Sequence, residues 1–179
     1  MRFHTIYDIQ HTIHAMRILG IDPGFDRLGI AVVEKERGER ERVLFSACVT
    51  TSAKDHFAKR LRSVVLEAAR VMKEWKPDIV ALETLLLAKN QKTAMRVAET
   101  RGALIYVAEG LGIPSKEYSP SQIKLSAGGH GRADKKDVER MVRLLVSFPK
   151  EDVLDDEIDA VAVALTALAH EKMTYPVRL

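Results

Sequence analysis

The chain is poor in several features that would fix a compartment or a class. Its 179 residues include a single cysteine, Cys48, so no intramolecular disulfide can close and a cysteine-based zinc site is excluded. This usage points to a reducing cytoplasm. No apolar run reaches the ~18 residues that span a bilayer, because the longest runs are interrupted by Glu83 and Asp159. The opening MRFHTIYDIQHTIHA mixes His, Asp and Gln among its apolar residues and lacks the continuous apolar stretch of a secretory signal. A strong excess of one charge is missing too. Lys and Arg number 28 against 25 Asp and Glu, and the resulting +3 permits a nucleic-acid partner without demanding one. There is no internal repeat and no low-complexity linker.

What is present is one domain's worth of globular sequence, 46% hydrophobic and 30% charged. Residues 1–15 read as a poorly ordered extension, and residues 16–179 as a single domain that opens on a strand. His4, His11 and His14 lack acidic or cysteine companions at ligand spacing and read as part of the leader.

The periodicities give a clear element order. RILGID is a buried strand closed by the turn Asp22-Pro23-Gly24. Leu28 to Glu34 and Val43 to Thr51 are two more strands joined by a charged hairpin centred on Gly38, completing an antiparallel meander. Lys54 to Trp75 has helical period and stops at Pro77; Asp78 to Leu82 is a short apolar strand leading into Glu83. Asn90 to Leu111 is a helix ended by glycines, and Ile113 to Tyr118 a fifth strand. Ser119-Pro120 starts a helix, Asp134 caps another running to about Phe148, and a last helix runs from Asp155 to His170. Three antiparallel strands followed by strands with crossover helices imply an α/β fold, a mixed five-stranded sheet with helices on both faces. This is consistent with a ribonuclease-H-like architecture.

Four carboxylates stand where a core-building sequence would not place them. Asp22 ends the first strand, Glu83 follows an apolar strand, and Asp156 and Asp159 share one face of the last helix. Singly, each has a plainer account. Asp22 suits a turn, and Asp155, Asp156 and Glu157 suit a helix N-terminus. Together they are more specific. Clustered acids repel unless a cation neutralises them, all-oxygen ligands suit Mg²⁺ or Mn²⁺, and two such ions support phosphoryl transfer.

LGIDPG, ALE with Glu83, AKN at Ala88 to Asn90, QIK, the Gly-rich loop, GRADK and DDEIDAVAVALT stand in the order and spacing of one family. From Met16 to about His170 the chain resembles the RuvC family of Holliday-junction resolvases. The resemblance implies a ribonuclease-H-like homodimer that nicks four-way DNA junctions symmetrically, using two Mg²⁺ ions per site with Mn²⁺ as a substitute. It implies Asp22, Glu83, Asp156 and Asp159 as catalytic metal ligands. Lys124 and Lys135 match basic residues near the scissile phosphate, and Lys89, Arg132 and Lys136 join them as DNA contacts. A branch-migration complex is a further candidate partner. Leu86 stands where many members carry an aromatic; leucine can wedge between bases but has no π-face to stack. Ala167 stands where the family often has His. The Leu86 substitution keeps open a nuclease of this fold acting on another nucleic-acid structure, and a non-catalytic junction-binding relative is a third reading. The helix from Asn90 to Leu111, with Ala94, Val97, Ala98, Arg101, Leu104, Ile105 and Ala108, either forms a dimer interface or faces its own sheet.

Overall fold

A computed structural model describes residues 15–84, 91–129 and 133–171, with the backbone alone for 91–93. The strands are β1 (Met16–Asp22), β2 (Arg27–Lys35), β3 (Arg42–Thr50), β4 (Ile79–Glu83) and β5 (Ser115–Tyr118). The helices are α1 (Phe57–Trp75), α2 (Gln91–Gly110), α3 (Pro120–Gly128), α4 (Lys135–Leu145) and α5 (Asp155–His170). The strands form one sheet in the order β3-β2-β1-β4-β5. β1, β2 and β3 pair antiparallel, while β4 joins β1, and β5 joins β4, in parallel. This is the expected mixed sheet, in the ribonuclease-H-like arrangement.

Alternation along the strands divides the core. Leu19, Ile21, Leu28, Ile30, Val80 and Leu82 point to the face covered by α1 and α2. Ile18, Ala31, Val33, Ile79 and Ala81 point to the face covered by α5, with α3 and α4 outside it. The parity matters at the strand ends. Ile21 lies beside Leu82 in the parallel β1–β4 pair. The next residues, Asp22 and Glu83, therefore leave the sheet side by side on the α5 face.

The α5 helix is apolar almost all round and buried accordingly, from Glu157 to Leu168 with Asp159 the part-exposed exception. It lies directly on two glycines of the sheet. A Cβ on Gly20 would stand 2.1 Å from the Ala160 carbonyl oxygen, and one on Gly29 2.0 Å from that of Asp156. Those glycines are required for close approach.

The caps follow the sequence signals. Ser119 and Gln122 form a capping box on α3, and Asp134 and Asp137 form one on α4. The helix before β4 starts at Phe57 instead of Lys54, with the His56 side chain accepting from the Lys59 N–H at 3.3 Å. α4 stops at Leu145 and does not reach Phe148. Val146 turns extended (φ −132°) and buries its side chain in the α5-side core. Phe148 precedes Pro149, a position that disfavours helical backbone.

Candidate metal centre and nucleic-acid face

The four acids arrive from three elements remote in sequence. β1 and β4 deliver Asp22 and Glu83, and the N-terminal end of α5, resting on Gly29, brings Asp156 and Asp159 near them. Asp22, Pro23, Gly24, Glu83, Thr84, Val97 and Pro120 line a cleft of about 280 Å³ at this sheet end.

The electrostatics show that the acids share a field. Burial, and then the charges of Asp159, Glu83 and Asp156, push the Asp22 carboxyl from 3.8 up to about 7, against the pull of Lys135. Burial and then Asp159 raise Glu83, while Lys124 works the other way. Burial also raises Asp159, with Lys135 opposing. Burial is the largest cause at all three, with like charge second at Asp22 and Glu83. Among the described residues no three His, Cys, Asp or Glu side chains converge into a ready ligand shell. Asp156 and Asp159 are turned onto side-chain cations instead. Arg27 Nη2 is paired with Asp156 Oδ2 and stands 2.9 Å from Asp155 Oδ1. Lys135 Nζ lies 3.0 Å from Asp159 Oδ2 and 3.1 Å from Asp155 Oδ2. Cys48 Sγ approaches Asp156 Oδ2 at 3.6 Å. Carboxylate oxygens in a part-buried cleft suit a hard divalent cation better than a soft one.

The loop between β1 and β2 is braced. Arg60, buried on α1, pairs with Asp26, donates from Nε to Thr51 Oγ1 at 2.9 Å, and lies 4.3 Å from the centre of the Phe25 ring. Phe25 meets Phe57 edge-on at 5.9 Å, and Arg96 covers Phe57 at 3.9 Å. Thr51 Oγ1 also donates to the Phe25 carbonyl at 2.8 Å. These contacts fix the chain that follows Asp22.

Of the basic residues singled out in the sequence, Lys124 and Lys135 sit at the acid cluster and Lys136 is exposed at the start of α4. Leu86, Lys89 and Arg132 lie outside the described residues, as do His4, His11, His14 and the side chain of Lys92. Arg96, Arg140 and Arg143 pair with Glu99, Asp137 and Glu139 on their own helices at 2.9, 3.2 and 3.1 Å. The positive field is therefore weaker than a count of basic residues implies. Sequence reasoning did not single out Arg27, and it read Asp155 as an ordinary helix-start acid. The available signal for Arg27 was its place five residues after Asp22, across a tight antiparallel connection.

In α2, Ala94, Leu104 and Ala108 are buried, and Arg101 bonds Glu117 of β5 from Nε at 2.9 Å. Much of the stripe seen in the sequence therefore faces the protein's own sheet. The outward face is a different one, with Met95 and Tyr106 at 65% and 79% exposure and Ala98 and Gly102 between them.

Comparison with known proteins follows this geometry. The family model described as crossover junction endodeoxyribonuclease RuvC matches residues 18–167. The chain is 43% identical over 152 residues to a protein of that description from Thermomicrobium roseum, covering 84% of this chain and 91% of the relative. It is 40% identical over 149 residues to one from Thermosipho melanesiensis, covering 83% and 94%. Among solved structures, T. thermophilus RuvC in complex with Holliday junction substrate superposes with a TM-score of 0.79 at 31% identity, over 86% of this chain and 93% of that one. The yeast mitochondrial Holliday junction resolvase Ydc2, at 14% identity and a TM-score of 0.64, covers 84% of this chain and 77% of its own and shares the fold.

Proposed function

The chain belongs to the RuvC family of crossover junction endodeoxyribonucleases, and from that premise we infer that it resolves four-way DNA junctions by paired symmetric nicks, in recombination and repair. The observation that supports this reading is that Asp22 and Glu83 line one part-buried cleft, with Asp156 and Asp159 near enough for their charges to act on Asp22.

In this reading those four carboxylates hold two divalent ions, Mg²⁺ or Mn²⁺ in place of it. Bound there, the ions supply the charge that activates a water and stabilises the leaving oxygen of a phosphodiester. The chain's own residues do the rest. Lys124 beside Glu83 and Lys135 beside Asp159 are placed to hold the scissile phosphate against the acids. The braced loop keeps Asp22 in place while DNA is bound. The acids of α5 gain from the positive helix end beneath them. Leu86, Lys89, Arg132 and Lys136 contribute contacts to the junction arms or its centre. Residues 16–179 act as one nuclease domain, and the single cysteine suits a reducing cytoplasm. No helix among the described residues is long and apolar enough to cross a membrane.

The test compares a mobile four-way junction with a matched linear duplex, in Mg²⁺ and in EDTA. Paired nicks in the junction alone, lost in EDTA, are the expected outcome. Equal cutting of the duplex would move the assignment to another substrate, and an intact junction under tight binding to a non-catalytic relative.

A two-fold symmetric junction cut at two sites calls for two active sites, hence a homodimer. The outward face of α2, through Met95, Ala98, Gly102 and Tyr106, is the surface we assign to it. Light scattering should give twice the chain mass for the native protein. Tyr106→Glu should give the monomer mass with the far-UV spectrum unchanged. A dimer that survives Tyr106→Glu would place the interface elsewhere. A branch-migration complex remains the natural supplier of its substrate.

A further inference from the structure

Two cations at the site are each shared between a metal-ligand carboxylate and one further acid, and that acid is the same for both. Arg27 Nη2 contacts Asp156 Oδ2 and Asp155 Oδ1, and Lys135 Nζ contacts Asp159 Oδ2 and Asp155 Oδ2. Asp155 therefore gives one oxygen to each. Its side chain is 54% exposed, and it is not among the residues that line the cleft with Asp22 and Glu83. Exposed pairs of this kind add little to stability, so the arrangement has no evident structural purpose.

A divalent ion bound by Asp156 and Asp159 competes with Arg27 and Lys135 for the charge of those two carboxylates. A cation with no other partner would either compete for them or leave to solvent. With Asp155 present, each cation exchanges one carboxylate for another almost in place. We propose that Asp155 is a positioning residue: it keeps Arg27 and Lys135 at the site as they yield Asp156 and Asp159 to the metal. This rests on the metal-ligand reading above. It adds that Asp155 governs metal affinity through Arg27 and Lys135 and not as a ligand itself.

The experiment is a double-mutant cycle read by Mn²⁺ binding without DNA, using electron paramagnetic resonance of free Mn²⁺. The four proteins are the native chain, Asp155→Ala, Arg27→Gln and the double variant. Asp155→Asn serves as a second version that keeps the side-chain size at the helix start. Asp155→Ala should weaken Mn²⁺ binding by about ten-fold in the native background. It should weaken it by only about three-fold once Arg27 is gone, a coupling on the scale of contacting residues. The residual factor belongs to Lys135 and to the lost negative charge. An equal factor in both backgrounds would overturn the proposal, because a through-space charge acts the same with or without Arg27. Asp159→Asn is the control that separates the two readings. If it leaves Mn²⁺ binding unchanged, the ligand assignment itself fails. If it abolishes binding while the cycle is additive, only the role of Asp155 falls.

Discussion

Asp22→Asn should abolish junction cleavage while making the metal-free protein more stable at pH 8. Cleavage should fall by about 10³-fold or more, the scale of several kcal/mol of lost charge stabilisation in the transition state. Junction affinity should change little, because it rests on basic residues. The stability gain follows from linkage. In the folded chain burial and three acidic neighbours raise the Asp22 pKa from 3.8 to about 7. A carboxyl raised in this way costs nothing below about pH 4, where it is protonated in both states. Its destabilisation grows as pH rises and is complete above about pH 7. Each pKa unit is worth about 1.4 kcal/mol, so the penalty at pH 8 is on the order of a few kcal/mol. Thermal melts in EDTA should therefore show the native protein losing stability from pH 5 to pH 8 relative to the variant. Mg²⁺ should stabilise the native chain and not Asp22→Asn. Full cleavage by the variant, or melts that coincide at pH 8, would contradict the assignment. The residue proposed as a metal ligand is thus also one that costs the fold stability at neutral pH.

Gly29→Ala should also damage the site, without removing any polar group. The new methyl would sit 2.0 Å from the Asp156 carbonyl oxygen, which is backbone and cannot rotate aside. Either α5 lifts from β2 or the strand bends. Overpacking of this kind costs about 3 kcal/mol, visible as a drop in urea midpoint. The larger effect falls on activity. Displacing the first turn of α5 by about an ångström moves Asp156 and Asp159 away from Asp22 and Glu83, and such a misplacement costs about 100-fold. Gly38→Ala is the natural control. Its Cβ would meet nothing within 4 Å, it lies in the hairpin at the other end of the sheet, and its positive φ of 85° makes any loss one of stability alone.

The order of the elements was legible in the sequence, and the four acids stood out there as candidates, because both rest on local signals. Strand runs end in Asp22 and Glu83, and an apolar helix carries two acids on one face. The limits were equally physical. α4 ended early because Val146 turns extended to fill the core, which its own sequence window does not announce. The α2 stripe could be read two ways, as an interface or as the sheet-facing side, because periodicity marks an apolar face without saying what covers it; Ala94, Leu104 and Ala108 are buried within the protein. Arg27 and Asp155 meet across 128 residues of chain. Their pairing exists only once α5 lies on β2. Ion pairs that hold the basic helices' arginines likewise appear only when rotamers are known.

The placement of α5 also bears on the order in which the protein is made. The five strands among the described residues precede residue 119 in the chain, while Asp156 and Asp159 come on the last described helix. A nascent chain can pair its whole sheet and still hold only half of the acids. Until α5 leaves the ribosome, Ile18, Ala31, Val33 and Ala81 face water. The same late event covers that face and brings in Asp156 and Asp159, so a chain that has not yet hidden its core also lacks half of the proposed ligand set.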